Sequence, residues 1–232
     1  MNRDVGVTEL VRTMLPEWAV PVFELIALLG DVFVVVGVLL VVAVVDVQRS
    51  VRDGSDQLLS NRTAFVLAIV LGGLALTLVL KAAFGAPRPP SSLQAVPRDG
   101  DGFPSGHTMA ATVLWVALAR WGQRFTARRR YQLAALAVGL VGVSRLALGV
   151  HYVVDVVASV AFGLAYLSLA TRLTKQNPTL AFVGASLLGG LAVVVTGGSV
   201  DGWLAFVGCA GGATTWWSVR RWSALQSASS HN

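Results

Sequence analysis

The chain has 232 residues, of which 55% are hydrophobic and only 13% are charged. Because a soluble domain carries about 25% charged residues, this composition indicates one compact helical bundle that buries its surface in lipid, without a separate soluble domain. The formal net charge is +6, but no soluble module with a basic face is visible, which argues against a nucleic-acid partner. The single cysteine, Cys209, excludes an intrachain disulfide framework and a cysteine-based metal cluster.

The N-terminal residues 6–23 predict an amphipathic segment that lies on the membrane surface. Glu9, Arg12 and Glu17 are interspersed with apolar residues, which is typical of an interfacial helix. The same charges interrupt the apolar run that a secretory signal peptide needs. We therefore expect this segment to remain on the protein.

Residues 24–46 predict the first transmembrane span. Asp31 lies near its outer end, next to Gly30. An acidic residue inside a span is a candidate for a functional site, whereas the neighbouring glycine marks a break and favours a position at the interface or at a helix end. We expect the helix-end position, and the functional interpretation stays open beside it.

Six further apolar runs approach the roughly 20 residues that a membrane-spanning helix needs. They predict spans at residues 63–83, 106–122, 131–149, 152–171, 179–196 and 203–219. The predicted fold is therefore an all-α, polytopic transmembrane helical bundle with about six to seven spans. We expect one membrane-embedded domain over residues 1–222 and a disordered, serine-rich tail over residues 223–232.

Basic residues cluster on one side of this predicted bundle. If the spans alternate, four basic stretches fall on the same side: 47–62, 120–130, 172–178 and 220–221. The positive-inside rule makes this side cytoplasmic. Four cations fall on the opposite side against that trend, namely Lys81, Arg88, Arg98 and Arg145. Phosphate binding would explain them, so we expect a site that faces the outside of the cell membrane.

His151 and Asp155 are spaced to form a catalytic pair at the start of the fifth span. Residues i and i+4 share one face of a helix, so the Asp155 carboxylate can accept a hydrogen bond from one ring nitrogen of His151. This leaves the lone pair of the other nitrogen for nucleophilic attack. The alternative is a buried pair that only stabilises the helix start.

A second histidine follows a turn before the third span, in the sequence Pro104-Ser105-Gly106-His107. The first N–H groups of a helix bind anions, Gly106 lets an anion approach the backbone, and Ser105 can donate its hydroxyl. His107 can then protonate a leaving oxygen. The alternative is an ordinary turn before a helix.

Lys81, Arg88 and Arg145 supply positive charge to the same region. Arginine offers a planar fork that matches phosphate oxygens and lysine a point charge, and phosphoryl transfer depends mainly on positioning and on stabilising negative charge. For Lys81 alone, a position at the membrane interface is an equal explanation. Together the three segments predict an enzyme that acts on a phosphate at a membrane surface.

The order and spacing of these residues resemble the three-part signature of the type 2 phosphatidic acid phosphatases, whose superfamily includes the vanadium haloperoxidases. The matching parts lie within roughly residues 60–170 and are Lys81 to Arg88-Pro89, then Pro104-Ser105-Gly106-His107, then Ser144-Arg145 to His151 and Asp155. The resemblance implies a metal-independent phosphatase that uses no cofactor and forms a phosphohistidine intermediate.

The resemblance also implies roles for individual residues. His151 would be the nucleophile, Asp155 its orienting group and His107 the general acid. The residues implied for binding the phosphoryl oxygens are Lys81, Arg88, Ser105, Gly106 and Arg145. Ser144 belongs to the motif without so clear a role.

The expected activity is hydrolysis of a membrane lipid phosphate or diphosphate, of the phosphatidic acid, phosphatidylglycerol phosphate or polyprenyl diphosphate class. A vanadate-dependent haloperoxidase is an alternative because vanadate mimics phosphate, but the haloperoxidases of this family are soluble. A non-catalytic transporter with an anion site is another, because intramembrane cations also mark transport pathways. The expected partners are the lipid substrate and membrane lipids, and the sequence does not determine the oligomeric state.

Overall fold

The computed structural model describes the backbone of residues 5–229 and the side chains of residues 6–223. Within this range the chain is all-α, as predicted, and contains no β-strand. The helices are α1 Val5–Met14, α2 Val20–Ala27, α3 Val32–Arg52, α4 Asn61–Phe84, α5 Gly106–Trp121, α6 Ala127–Ala147, α7 Val153–Thr174, α8 Pro178–Val195 and α9 Val200–Ser229. Short 3₁₀ turns lie at Glu17–Ala19, Leu28–Gly30 and Ser91–Leu93.

Four of the described helices, α3, α4, α7 and α8, are long and apolar enough to cross a membrane. The number becomes five if the bent pair Gly6–Met14 and Glu17–Gly30, whose parts meet at 99°, is taken as one span. The remaining predicted spans coincide with α5, α6 and α9. Helix α5 has only 16 residues and is short for a span. Helix α6 has 21 residues, but its first turn contains three consecutive arginines.

Helix α4 forms the centre of the bundle. Of its most apolar stretch 56% is buried inside the protein, against 11% for α3, so α3 presents most of its surface to lipid. Helix α4 packs against α5, α8 and α9, and α5 in turn packs against α6 and α7. Phe65, Ile69 and Leu114 are buried between these helices. The ends of α4 and α5 therefore extend from the best-packed part of the fold.

The helix predicted as the first span begins later than expected. Helix α3 starts at Val32, and Asp31 is its N-cap, whose side chain accepts a hydrogen bond from the N–H of Phe33 (2.9 Å). A Cβ at Gly30 would overlap the carbonyl oxygen of His107, so the chain turns there against α5. The single span predicted over residues 24–46 is thus corrected to α2, a 3₁₀ turn and α3.

The basic loops gather at one end of the bundle, as the alternation of spans predicts. Nε1 of Trp121 donates to Oε1 of Gln176 (3.0 Å), which joins the turn after α5 to the turn after α7. A groove at this end is lined by four arginines from the first two basic stretches, namely Arg49, Arg62, Arg124 and Arg130. The cations that oppose the positive-inside trend lie at the other end, where α4 and α6 finish.

The C-terminal segment was predicted to be a disordered tail from residue 223. The backbone continues as α9 as far as Ser229. Alanine, leucine and glutamine in this stretch are strong helix formers, which favours continuation of the helix. Residues 230–232, including His231, lie outside the described residues.

Candidate active site

The three segments singled out in the sequence meet where α4 and α6 end and α5 and α7 begin. The backbone N–H of Ser105 donates to the carbonyl oxygen of Asp155 (3.4 Å), and the hydroxyl of Ser159 donates to the carbonyl oxygen of Ser105 (3.0 Å). A Cβ at Gly106 would lie 3.5 Å from Cε of Lys81. The start of α5 is therefore fixed against both α7 and the end of α4.

His151 and Asp155 form the expected pair. Nδ1 of His151 lies 3.3 Å from Oδ2 of Asp155, and the same oxygen accepts a hydrogen bond from the backbone N–H of Tyr152 (3.0 Å). His151 is 2% exposed and Asp155 is fully buried. Because Asp155 lies in the first turn of α7, one carboxylate oxygen both caps the helix and holds the imidazole.

The other ring nitrogen of His151 faces Arg88. Nη1 of Arg88 lies 3.2 Å from Nε2 of His151 and donates to the carbonyl oxygen of Val150 (3.2 Å). A guanidinium group contains only hydrogen-bond donors, so Nε2 is the accepting nitrogen and Nδ1 carries the proton that faces Asp155. This tautomer directs the lone pair of Nε2 toward the cationic side of the site.

The pKa of His151 is lowered to about 4, mainly by burial. The hydrogen bond with Asp155 opposes this shift, and the positive charges of Arg88 and Arg145 reinforce it. The imidazole is therefore neutral near neutral pH. Only a neutral imidazole has the free lone pair that a nucleophile needs.

The start of α5 has the form of an anion-binding helix end. Ser105 is the N-cap, and its hydroxyl accepts from the N–H of Thr108 (3.4 Å) and lies 3.0 Å from the Thr108 hydroxyl. The N–H groups of Gly106 and His107 precede the first intrahelical hydrogen bond and point out of the helix end. Since Ser105 is completely buried and engaged in capping, the backbone N–H groups are the better-placed donors for an anion.

Arg145 has an unusual environment for a cation. It is only 2% exposed, and its Nε and Nη1 have no hydrogen-bond partner among the described residues. Leaving a buried polar group unpaired costs about 1–3 kcal/mol, and more if it is charged. These two N–H groups are thus suited to the oxygens of a phosphoryl group. The neighbouring Ser144 donates its hydroxyl to Val141 within α6 (2.7 Å), which gives it a local structural contact.

Lys81 and Arg88 are held by the loop between α4 and α5. Nζ of Lys81 donates to the carbonyl oxygen of Asp101 (2.6 Å), and Nε of Arg88 donates to that of Asp99 (3.2 Å). Burial and the nearby positive charge of Arg98 lower the pKa of Arg88. Arg98 is therefore a further cation beside the site, which the sequence analysis placed on this side of the membrane without giving it a role.

His107 lies in the first turn of α5, with its side chain 29% exposed. This exposure gives it access to a leaving group and to water, as a general acid requires. Its Nε2 lies 3.8 Å from Oδ2 of Asp31. With His107 placed, all eight residues that the sequence analysis singled out lie at the same end of the bundle.

The acidic side chains near the site do not form a metal-binding group. Within the part of the chain that the structure describes, no three or more His, Cys, Asp or Glu side chains are arranged to hold an ion. Asp155 contacts His151, and Asp31 caps α3. The cations of the site have N–H groups that lack a partner, as in Arg145, or that donate to backbone carbonyl oxygens, as in Lys81 and Arg88. Such groups suit an anion.

Comparison with known proteins identifies the family. The family model of the PAP2 superfamily matches residues 62–178, just over half of the chain. The chain belongs to the PAP2 superfamily. All eight predicted site residues lie within the matched region, and the resemblance drawn from the sequence is confirmed.

A solved structure with the PAP2 fold is similar over most of the chain. It is the crystal structure of the first transmembrane PAP2 type phosphatidylglycerolphosphate phosphatase from Bacillus subtilis, at a TM-score of 0.64 and 22% sequence identity. The similarity covers 75% of this chain and 85% of that chain. At this identity the likeness shows the fold. A sequence comparison with curated proteins gives no significant match.

Thr8 and Asp31 contact the candidate site from outside the region matched to the family. The hydroxyl of the buried Thr8 donates to the carbonyl oxygen of His151 (3.3 Å), and Asp31 faces His107. The charge of Asp31 inside an apolar run was a signal for a functional role, whereas Thr8 had no such signal. The N-terminal segment, predicted to lie on the membrane surface, thus also packs against the site.

Proposed function

We propose that the protein is an integral-membrane phosphatase that hydrolyses a lipid phosphate or diphosphate through a phosphohistidine on His151. The observation that carries the proposal is the line of contacts from Asp155 through His151 to Arg88. It fixes a neutral imidazole with its accepting nitrogen on the cationic side of the site. A protein that only bound or transported an anion would need the cations but not an oriented nucleophile.

In the first step, Nε2 of His151 attacks the phosphorus atom, and the bond from phosphorus to the leaving oxygen breaks. His107 donates its proton to that oxygen. Arg145 and the N–H groups at the start of α5 stabilise the negative charge on the equatorial oxygens. Arg88 exchanges its contact with Nε2 for a phosphoryl oxygen, so the group that fixes the tautomer also binds the substrate.

In the second step, water attacks the phosphorus atom of the phosphohistidine. His107, which has lost its proton, takes a proton from this water, and the bond between phosphorus and Nε2 breaks. Inorganic phosphate leaves, the lone pair returns to Nε2, and His107 is protonated again. Both histidines thereby recover the protonation states with which the cycle began.

We propose that this reaction needs no metal ion. Lys81, Arg88 and Arg145 converge on one site and supply the positive charge that a phosphoryl transition state requires. Phosphate release should therefore continue in the presence of EDTA. Loss of activity in EDTA that returns when a divalent cation is added would contradict this part of the proposal.

A lipid substrate is proposed because the site lies at the ends of helices whose sides are apolar. A lipid can enter sideways from the bilayer and bring its headgroup to the helix ends. The test is phosphate release by the purified protein in detergent from phosphatidic acid, phosphatidylglycerol phosphate, a polyprenyl diphosphate and a soluble sugar phosphate. Phosphatidylglycerol phosphate is included because the similar Bacillus subtilis protein is a phosphatase of that lipid.

The expected result is release from at least one lipid by the wild-type protein and loss of that release in His151→Ala. His231→Ala is the matched control, because it removes a histidine of the C-terminal tail. No release from any lipid by the wild-type protein would overturn the lipid phosphatase proposal. Phosphate binding without turnover would favour the transporter, and halide oxidation with vanadate and peroxide would favour the haloperoxidase.

We further propose that the site faces the outside of the cell membrane, because the basic loops lie at the opposite end of the bundle. A single cysteine at Ser92 or at Ser55, both exposed, tests the orientation with a membrane-impermeant maleimide on intact cells. The native Cys209 is buried, so its background labelling should be low, and Cys209→Ser removes it. Labelling at position 92 without labelling at position 55 is expected, and the reverse pattern would contradict the orientation.

A further inference from the structure

We propose that Asp31 is a positioning residue that holds His107 in its protonated form for catalysis. The inference rests on the proposed function of His107 as the general acid. It extends the site to the residue that caps α3, which lies outside the region matched to the PAP2 superfamily. Asp31 and His107 would then form a second carboxylate–histidine pair. Asp155 orients the neutral imidazole of His151 for attack, whereas Asp31 would favour the protonated imidazole of His107.

The two oxygens of the Asp31 carboxylate have different contacts. Oδ1 accepts the hydrogen bond from the N–H of Phe33 and caps α3. Oδ2 lies 3.8 Å from Nε2 of His107, and the two side chains are 26% and 29% exposed. This separation suits an ion pair and is longer than a hydrogen bond. Contacts of catalytic groups are often long before substrate binds and shorten in the complex.

The backbone on both sides of this contact is fixed in place. The absence of a side chain at Gly30 lets the 3₁₀ turn touch the carbonyl oxygen of His107. One position earlier, the carbonyl oxygen of Leu29 accepts a hydrogen bond from Nε1 of Trp115 (2.9 Å), two turns along α5. Asp31 is therefore held beside His107 by two contacts with the same helix, which distinguishes it from a mobile surface carboxylate.

The surroundings of His107 explain why a carboxylate is needed. Burial of the imidazole is the largest influence on its protonation, and the positive charges of Arg145 in α6 and of Arg88 and Arg98 in the loop before α5 act in addition, as does His151 in the turn before α7. Lys81 lies close to Gly106, the residue before His107 in the chain. Each positive charge disfavours protonation of His107, yet a general acid must carry a proton. Asp31 is the negative group in direct reach of the imidazole.

The capping role and the proposed electrostatic role can be separated by substitution. Asparagine and serine are as good as aspartate at an N-cap, so Asp31→Asn and Asp31→Ser keep the cap of α3 and remove the charge. Glu17→Gln is the control: Glu17 also precedes α3, and its side chain is 88% exposed and paired with Arg12. It removes a carboxylate without touching His107.

For phosphatidic acid, whose alkoxide leaving group needs a proton, we expect Asp31→Asn to lower kcat by about tenfold, less than the roughly 10²–10⁴-fold effect of the general acid itself. The basic limb of the pH profile should move to lower pH. With p-nitrophenyl phosphate, whose leaving group departs without a proton, the loss should be much smaller. Glu17→Gln should match the wild type on both substrates. An unchanged pH profile and equal losses on both substrates would overturn the inference.

A measurement without turnover separates this inference from the proposed function. The chain has three histidines, so a protein that carries His151→Ala and His231→Ala retains His107 as its single imidazole, which nitrogen NMR can titrate in detergent. We expect His107 to lose its proton at lower pH when Asp31→Asn is added. An unchanged titration would overturn the role of Asp31 even in an active phosphatase. A shifted titration in a protein that hydrolyses nothing would keep the pair and overturn the function.

Discussion

Replacement of Arg145 with methionine should make the protein more stable and nearly inactive. Nε and Nη1 of Arg145 lack partners among the described residues, and the side chain is almost completely buried. Each unpaired group costs about 1–3 kcal/mol, and replacing a buried charge with a well-packed apolar side chain often stabilises a protein by about 1–4 kcal/mol. Methionine is unbranched and flexible like the aliphatic part of arginine, and it removes both unpaired groups. We expect the free energy of unfolding to rise by about 1–3 kcal/mol.

The same substitution should remove a phosphoryl-binding group. Loss of one preorganised donor to a charged transition state lowers kcat by about 10²–10³-fold, or about 3–4 kcal/mol. Stability is measured by thermal unfolding in detergent, with and without orthovanadate as a phosphate analogue, and activity by phosphate release. Vanadate should raise the unfolding temperature of the wild-type protein and have less effect on Arg145→Met, because the binding of an anion to the native state stabilises it.

Arg130→Met is the matched control for this experiment. Nε of Arg130 is also buried without a partner among the described residues, but Arg130 lies at the opposite end of the bundle, in the groove beside Arg124. This control should alter stability and leave activity and the effect of vanadate unchanged. If Arg145→Met is less stable than the wild type and keeps its activity, Arg145 has a structural role and the reasoning about its unpaired groups is wrong.

Three further predictions concern His151 and its neighbours. Asp155→Asn should lower kcat by about 10⁴-fold, because asparagine no longer fixes the proton on Nδ1, while circular dichroism shows an intact helical fold. The pKa of His151 is lowered to about 4, so between about pH 6.5 and pH 4 the unfolded chain binds a proton that the folded chain does not. Unfolding midpoints should therefore fall as the pH decreases through this window. This dependence should be weaker in His151→Ala. Thr8→Val removes the hydrogen bond to the carbonyl oxygen of His151 and should cost about 1 kcal/mol of stability with a loss of activity under about tenfold; a wild-type unfolding midpoint in this variant would show that the N-terminal helix does not support the site.

The parts of the site that depend on local geometry were predictable from the sequence. The spacing of His151 and Asp155 predicts one helix face, and the structure places the two side chains 3.3 Å apart. The Ser105-Gly106 turn predicts a helix start, and α5 begins at Gly106. Alternation of the spans brings the ends of α4, α5, α6 and α7 to one side. Each of these inferences needs only helix geometry and the order of elements along the chain.

The parts that depend on long-range packing were not predictable in this way. The sequence analysis placed residues 6–23 on the membrane surface, yet Thr8 contacts His151 across 143 positions of the chain. Asp31 was noticed for its charge, but its neighbour His107 became apparent only from the approach of Gly30 to α5. Composition also did not reveal the break before the first span, because the uncharged, mainly apolar residues 25–30 fit a straight helix as well as a broken one. Such features depend on tertiary contacts that hydropathy does not encode.

The most direct test of the proposed mechanism is to trap the phosphohistidine. Purified protein is mixed with phosphatidic acid or a polyprenyl diphosphate that carries a radiolabelled terminal phosphate, and the reaction is stopped in alkali, where phosphohistidine survives. Mass spectrometry then locates the modified residue. We predict label on His151, no label in His151→Ala, and label that persists longer when water attack is slowed in His107→Ala. Turnover without labelled protein, or label on a residue other than His151, would contradict the proposed mechanism.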